Sequence, residues 1–88
     1  MQYYTYILYS SKVDKYYIGS TGDIENRLLK HNKGYNKSTK VGIPWEIVYI
    51  KEYETRSEAF KQEMELKKHK KRKFIESLIK SNVTGPDF

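Results

Sequence analysis

Alternating and continuous apolar positions in the first half of the chain indicate β-strands separated by polar turns. Residues 3–9 and 16–20 are rich in β-branched and aromatic side chains, which favour strands. The polar segment 10–15 between them suits a hairpin turn. Another strand-like run at 45–53 follows a polar, basic loop at 33–44. The pattern therefore predicts a hairpin and a separate third strand.

A helical pattern follows the hairpin. Asp23 is a suitable N-cap for a helix over about 24–32, and Gly34 is placed to end it. Ile24 and Leu28 lie four residues apart, so they share one face of this helix. The segment therefore has one narrow apolar face.

Two more helices are expected after the third strand. Thr55 and Glu58 fit a capping box, which predicts a helix from about residue 57 to residue 69. The apolar stripe of this helix would consist of Ala59, Phe60, Met64 and Leu66. The last helix, at about 71–81, would place four apolar side chains on one side, namely Phe74, Ile75, Leu78 and Ile79.

The order β-β-α-β-α-α predicts an α/β fold in the broad sense (α+β) with a single domain. We expect the domain to span residues 1–82 and a frayed C-terminal tail to occupy 83–88, which contains Gly85 and Pro86. A chain of 88 residues buries only about 60–65% of the surface that its unfolded form exposes. The core must therefore be one sheet or a few helices.

Composition narrows the kinds of site the chain can form. The absence of cysteine excludes disulfides and cysteine-based zinc sites. Because His31 and His69 are the only histidines, a metal site must rest largely on oxygen ligands, which favours Mg²⁺ or Mn²⁺. The chain begins without a signal-peptide pattern and lacks the roughly 20 consecutive apolar residues of a membrane span. We therefore expect a soluble, cytoplasmic protein with no membrane partner.

The charge of the chain favours a polyanionic partner. Lysine and arginine number 17 against 11 acidic residues, and residues 61–80 alone hold eight basic and three acidic side chains. Nine tyrosines accompany this positive charge. Cations that displace phosphate counterions and rings that stack on bases are typical of nucleic-acid binding. The alternative interpretation is a soluble basic protein with a tyrosine-rich core.

Glu63 lies inside the predicted apolar stripe of the 57–69 helix, four residues after Ala59 and three after Phe60. A carboxylate that points at a core is costly unless it is paired or binds a cation. Metal ligation is therefore one interpretation. The alternatives are a salt bridge to a lysine at the edge of the core, or a side chain that curls outward into solvent.

Arg27 and His31 are four residues apart on the first helix and share one face. The planar guanidinium of an arginine can hold a phosphate, and a histidine can transfer a proton near neutral pH. The pattern alone favours a solvated flank in which both side chains face water. In the strands, Tyr6 and Tyr17 are most simply packing residues, and Gly19 allows a bulge or the close approach of another group.

Five short segments occur in an order and spacing that match a known family. Residues 17–19 read Tyr-Ile-Gly, and residues 4–6 read Tyr-Thr-Tyr. Arg27 follows ten residues after the first of these segments begins, and His31 follows one turn later. Residues 57–63 resemble a Ser-Glu-Ala segment that ends in glutamate. Together these segments resemble the GIY-YIG nucleases, most of all small bacterial members similar to the N-terminal nuclease domain found in excinuclease ABC.

The resemblance covers roughly residues 3–80 and implies a three-stranded, mostly antiparallel sheet flanked by helices. It implies an endonuclease that hydrolyses DNA phosphodiester bonds with a single Mg²⁺ or Mn²⁺, acts on particular DNA structures and belongs to DNA repair or recombination. The catalytic residues it implies, gathered in one cleft, are Tyr6, Tyr17, Arg27, His31 and Glu63. Glu63 would be the metal ligand, and the general base would be Tyr17, Tyr6 or His31.

The chain departs from the family pattern at two places near the motifs. Tyr4-Thr5 replace Gly-Ile, and Ser20 stands where the family frequently has a lysine. DNA contacts are expected from the basic loop and the basic run, at Lys40, Lys67, Lys68, Lys70, Lys71, Arg72 and Lys73. We expect a monomer whose specificity comes from DNA shape or a protein partner. The alternatives are a catalytically silent DNA-binding module and a structural protein whose basic face binds an acidic partner.

Overall fold

Three antiparallel strands form the centre of the structure, a computed structural model that describes residues 2–69 and 71–83. Strand β1 (Tyr3–Ser10) lies between β2 (Lys15–Thr21) and β3 (Glu46–Tyr53) and pairs with both. The two pairings confirm the predicted hairpin and the predicted three-stranded antiparallel sheet. Strands β2 and β3 are the edges of this sheet, so each leaves one side without a neighbouring strand.

Helix α1 (Ile24–Asn32) connects β2 to the loop that precedes β3, and a short 3-10 helix (Lys40–Gly42) lies within that loop. Helices α2 (Arg56–Lys68) and α3 (Arg72–Val83) follow β3. The predicted order β-β-α-β-α-α is confirmed, and each predicted boundary lies within two residues of the observed one. Val83, the first residue of the predicted tail 83–88, ends α3, and residues 84–88 lie outside the described residues.

The helix starts have the capping contacts that the sequence predicts. The side chain of Asp23 accepts a hydrogen bond of 3.1 Å from the backbone nitrogen of Asn26. Thr55 Oγ1 accepts from the backbone nitrogen of Glu58 at 3.2 Å, and Glu58 Oε1 accepts from that of Thr55 at 3.2 Å. These contacts satisfy amide groups that a helix N-terminus otherwise leaves unpaired.

The sheet has a separate apolar cluster on each face. Because successive side chains of a strand point to opposite faces, the central strand contributes to both clusters. The cluster under α2 and α3 consists of the buried residues Ile7, Ile18, Tyr49, Leu66 and Ile75. The cluster on the other face consists of the buried residues Tyr6, Leu8 and Trp45, against which Tyr17, Ile24, Leu28, Ile43 and Ile47 pack. Helix α1 therefore covers the face opposite to that covered by α2.

The apolar stripe predicted for α2 is wrong in two of its four members. Phe60 is 54% exposed and Met64 is 45% exposed, whereas Ala59 and Leu66 are buried as expected. The helix is rotated so that Glu63 turns towards the sheet, and Phe60 and Met64 therefore turn outward.

The buried side predicted for α3 is also wrong in one member. Phe74 is 40% exposed, and its ring contacts the ring of His69 at a centroid distance of 5.7 Å. Ile75 is buried, and Leu78 and Ile79 pack against the same cluster. In the described part of the chain, no helix has the length and apolar character needed to cross a membrane.

Candidate functional site

The aromatic part of the candidate site is built over a glycine of the edge strand. Tyr6 lies opposite Gly19 in the β1–β2 register. A Cβ at Gly19 would lie 2.5 Å from Tyr6 Oη and 2.7 Å from Cζ, so the missing side chain makes room for this ring. Tyr17 lies on the same face, and its ring centroid is 6.5 Å from that of Tyr6. The close approach allowed by Gly19 is therefore present, and a tyrosine ring occupies the space.

His31 joins this aromatic pair from α1. Its Nε2 lies 3.4 Å from Tyr6 Oη, and its ring contacts the ring of Tyr17 edge-on at a centroid distance of 4.8 Å. His31 is buried, so the solvated flank that the pattern favoured is wrong for this residue. Arg27, one turn earlier, is exposed as that interpretation expected.

Hydrogen bonding of Thr39 to the backbone favours one tautomer of His31. Thr39 Oγ1 donates to the carbonyl oxygen of Asn36 at 3.3 Å and lies 3.0 Å from His31 Nδ1. Because the hydroxyl has one proton, Thr39 Oγ1 accepts from a protonated Nδ1. Nε2 is then unprotonated, and it accepts the hydrogen bond that the Tyr6 hydroxyl donates.

The loop before β3 holds Thr39 in place, and sequence reasoning missed this role. Trp45 Nε1 donates to the carbonyl oxygen of Thr39 at 2.6 Å. The side chain of Asn32 accepts from the backbone nitrogen of Trp45 at 2.6 Å and donates to its carbonyl oxygen at 3.0 Å. The buried Trp45 ring packs over Gly42, where an added Cβ would collide with it. The sequence signal that could have indicated this packing was the single tryptophan directly after the Gly-Ile-Pro segment.

The two buried titratable groups of this cluster have opposite pKa shifts. Burial, followed by the Arg27 charge, lowers the pKa of His31 below its ordinary value of 6.5. Burial raises the pKa of Tyr6 above its ordinary value of 10.0; Tyr17 and Glu63 raise it further, and Arg27 opposes them. At neutral pH, His31 is therefore a neutral imidazole beside a protonated phenol.

We expect the lowered pKa of His31 to make folding stability fall in weak acid. Below about pH 6.5 the unfolded chain takes up a proton at this histidine before the folded chain does. The free energy of unfolding should therefore be constant above that pH and should fall as the pH is lowered below it. Denaturant unfolding across this range measures the slope. His31→Gln should flatten it, and His69→Gln, at an exposed position, should leave it unchanged.

Glu63 is held at the edge of the sheet by two neighbours. It is buried, with 9% of its surface exposed. Ser20 Oγ donates to Glu63 Oε1 at 2.6 Å, and Lys67 Nζ donates to Glu63 Oε2 at 2.7 Å. Of the interpretations open from the sequence, the salt bridge to a lysine at the core edge is present. Ser20, which replaces the family's lysine, orients the carboxylate.

The donor set at Glu63 suits a hard cation that keeps most of its own water. Among the described residues, no group of three or more His, Cys, Asp or Glu side chains could enclose a metal ion. A single carboxylate completed by water and substrate phosphate is a normal Mg²⁺ environment. Ser20 can rotate its hydroxyl, whereas Lys67 must leave Oε2 before a cation takes that position. The residues present therefore fit one Mg²⁺ or Mn²⁺ ion.

A cationic cleft of about 500 Å³ opens beside Ser20, the partner of Glu63. Three basic residues line it, Arg27 and Lys30 from α1 and Arg56 from the start of α2. Arg27 and Lys30 also line a neighbouring cleft that His31 borders. Arg27 therefore borders both the cleft beside Ser20 and the cleft beside His31.

The five residues that the resemblance groups in one cleft lie around strand β2 in two sets. Tyr6, Tyr17 and His31 form a contact cluster on the α1 face of the sheet. Glu63 approaches from α2 on the other face, and Arg27 borders the clefts on both sides. The structure therefore brings Tyr6, Tyr17 and His31 into contact and places Glu63 on the opposite face of the sheet.

The predicted DNA-contact residues have different surroundings in the structure. Lys67 pairs with Glu63. Arg72 pairs with Asp14, and its Nε lies 3.0 Å from Glu76 Oε2. The other described members are exposed: Lys40, Lys68, Lys71 and Lys73. Lys70 lies outside the described residues. The exposed members remain predicted DNA contacts.

Comparison with known proteins connects this geometry to one family. The family model of the GIY-YIG catalytic domain matches residues 2–76. A UPF0213 protein of Staphylococcus saprophyticus is 40% identical over 73 residues, which cover 82% of this chain and 88% of that protein. A UPF0213 protein of Staphylococcus aureus is 45% identical over 58 residues, 65% of this chain and 71% of its own length.

A solved structure shows the same fold. The solution NMR structure of the UPF0213 protein from Bacillus halodurans superimposes with a TM-score of 0.59 and is 32% identical. The match covers 98% of this chain and 89% of that chain. Relatives from three bacterial species thus accompany the family match.

Proposed function

This chain belongs to the GIY-YIG family, which is of the nuclease type, and we propose on that basis that it is a metal-dependent endonuclease that hydrolyses DNA phosphodiester bonds. The observation that carries the proposal is the placement of Glu63. This buried carboxylate accepts from Ser20, which lines a cleft together with Arg27, Lys30, Arg56 and Asp23. A site that places one anionic metal ligand beside three cations suits a phosphodiester with a divalent ion.

Glu63 would hold one Mg²⁺ or Mn²⁺ ion through its carboxylate. When bound, the ion stabilises negative charge on the phosphate and on the leaving oxygen. The hydroxyl of Ser20, which lines the cleft, holds one oxygen of the carboxylate. The exposed guanidinium of Arg27 would bind the non-bridging phosphate oxygens as charge builds on them, through its planar pair of donors.

The proton of the attacking water would pass to the aromatic and imidazole cluster. The raised pKa of Tyr6 makes its phenolate scarce at neutral pH, so Tyr6 needs a proton acceptor of its own. In the tautomer that Thr39 favours, His31 Nε2 is unprotonated, and it lies 3.4 Å from the Tyr6 hydroxyl oxygen. We therefore favour His31 as the base, acting through Tyr6. Tyr17, half-buried in edge contact with the same imidazole, is the remaining candidate.

The biological role that we propose rests on the net charge of the chain. A formal net charge of +6 favours binding to any DNA backbone. Selection among substrates would then depend on DNA structure, such as branches or nicks, or on a protein partner. In this proposal the protein acts as a monomer in the cytoplasm, in DNA repair or recombination.

One observation favours the alternative of a catalytically silent DNA-binding module. The ammonium of Lys67 pairs with Glu63 Oε2, an oxygen that a metal ion at this site would bind. If this pair persisted on DNA, the protein would keep its cationic clefts without binding the metal. Metal binding at Glu63 therefore distinguishes the nuclease from the silent module.

We expect the purified protein to cut DNA only when a divalent metal is supplied. Nicked, branched and supercoiled DNA should each be incubated with the protein in Mn²⁺ and, separately, in excess chelator. The nuclease predicts new strand ends in Mn²⁺ and none in chelator. Salt-sensitive binding without cleavage of any substrate in Mn²⁺ would contradict the nuclease and support the silent module.

A further inference from the structure

A second groove, of about 430 Å³, lies between β2, the end of α2 and the start of α3. Three basic residues line it, Lys15, Lys67 and Arg72, together with Tyr16 and Tyr17 of β2. The ring of Tyr17 contacts His31 on the other face of the sheet. Tyr17 therefore belongs to the groove and to the candidate site.

Arg72 forms a fixed part of this groove. Its guanidinium pairs with Asp14 and Glu76, and its Cζ lies 5.4 Å from the ring centroid of Tyr16. Asp14 lines the groove, but the pairing with Arg72 compensates its charge. The positive charge left to attract a ligand therefore comes from Lys15, and from Lys67 once it leaves Glu63.

Lys67 lines the groove and at the same time pairs with the carboxylate of Glu63. Its ammonium donates to Glu63 Oε2 at 2.7 Å, while its side chain, 46% exposed, lines the groove. An ion pair between residues four apart on a helix is weak when one member is this exposed. The flexible four-carbon stem of a lysine lets its ammonium move to another anion nearby.

We propose that this groove binds a phosphate of the nucleic acid next to the bond that is cut, and that Lys67 leaves Glu63 for that phosphate. The departure of Lys67 frees Glu63 Oε2 for the metal ion. The inference rests on the proposed function, because it assigns Glu63 the role of metal ligand. Without nucleic acid, the ammonium and the metal compete for the same oxygen. With nucleic acid bound, the phosphate removes the competitor, so substrate and metal bind cooperatively.

The competition is tested by Mn²⁺ binding to the full chain without nucleic acid, measured by electron paramagnetic resonance. Lys67→Met should tighten Mn²⁺ binding by about tenfold, because it removes a cation in contact with Oε2. Lys68→Met removes the same charge from an exposed neighbour on α2 and should tighten binding by less than about threefold. Equal effects of the two variants would overturn the proposal.

Glu63→Gln separates this inference from the proposed function. If Glu63→Gln abolishes Mn²⁺ binding while Lys67→Met and Lys68→Met bind alike, only the competition is wrong. If Glu63→Gln leaves Mn²⁺ binding intact, Glu63 is not the metal ligand, and the proposed function fails together with the inference.

The groove itself is tested by binding of a short single-stranded DNA oligonucleotide in chelator, where no metal contributes. Lys15→Gln should weaken binding by about threefold to tenfold, because it removes one phosphate contact. Lys12→Gln, in the exposed hairpin turn and outside the groove lining, is the matched control. Equal weakening by the two variants would show a diffuse charge effect and would overturn the groove as a phosphate site.

Discussion

Glu63→Gln is expected to lower the rate of DNA cleavage by at least about a thousandfold. A bound metal ion stabilises the transition state by several kcal/mol, and about 1.4 kcal/mol corresponds to a factor of ten in rate. The amide keeps the size of the side chain and an oxygen for the Ser20 hydroxyl, but it lacks the negative charge that holds a cation. Single-turnover cleavage of nicked or branched DNA in Mn²⁺ measures the loss.

The matched control for this prediction is Glu65→Gln, which removes the same charge from an exposed position two residues later on α2. Its cleavage rate should stay within about threefold of that of the original chain, which corresponds to less than about 1 kcal/mol. Thermal unfolding of both variants checks that the fold is intact. A Glu63→Gln protein that unfolds normally and cuts at the original rate would refute the mechanism.

Gly19→Ala is expected to lower the free energy of unfolding by about 1–3 kcal/mol, the usual cost of adding a methyl group to a filled interior. The new Cβ would lie 2.5 Å from Tyr6 Oη. Tyr6 is 1% exposed and packed by Leu8 and Trp45, so its ring has no free space to move into. If the chain folds, the displaced ring loses its contact with His31, and cleavage falls as well.

Urea unfolding measures this loss of stability, and Gly22→Ala is the control. Its added Cβ would lie 3.1 Å from the ring of Tyr3, which is only half-buried and can shift by the few tenths of an ångström required. We expect the control to change stability by less than about 0.5 kcal/mol. Equal stability of Gly19→Ala and the original chain would mean that the Tyr6 ring does not lie over Gly19.

Most of the fold could be predicted from the sequence because its signals are local. The capping residues Asp23 and Thr55 act on amide groups three residues away, and strand preference depends on the side chain itself. The face of α2 could not be predicted in this way. Phe60 and Met64 are apolar, but the rotation of the helix depends on Ser20, a partner 43 residues from Glu63 in the sequence.

The candidate site shows the same difference between local and distant information. The resemblance named Tyr6, Tyr17 and His31, and these residues are in contact. The burial of His31 depends on Thr39 and Trp45, whose loop has no periodicity that could indicate its position. The basic run at 67–73 likewise looks uniform in the sequence, whereas the pairing of Arg72 with Asp14, 58 residues away, is visible only in the structure.

The central position of β1 also determines which parts of this protein can unfold locally. Both faces of the strand are buried and both of its edges are hydrogen-bonded, so its amide protons can exchange with water only when β2 or β3 detaches. Tyr6 lies in this most protected segment, whereas Arg27 and Lys67 lie on exposed parts of helices. Local fluctuations can therefore rearrange the surface that meets a substrate, while the residue that we place in the proton path stays fixed unless an edge strand detaches.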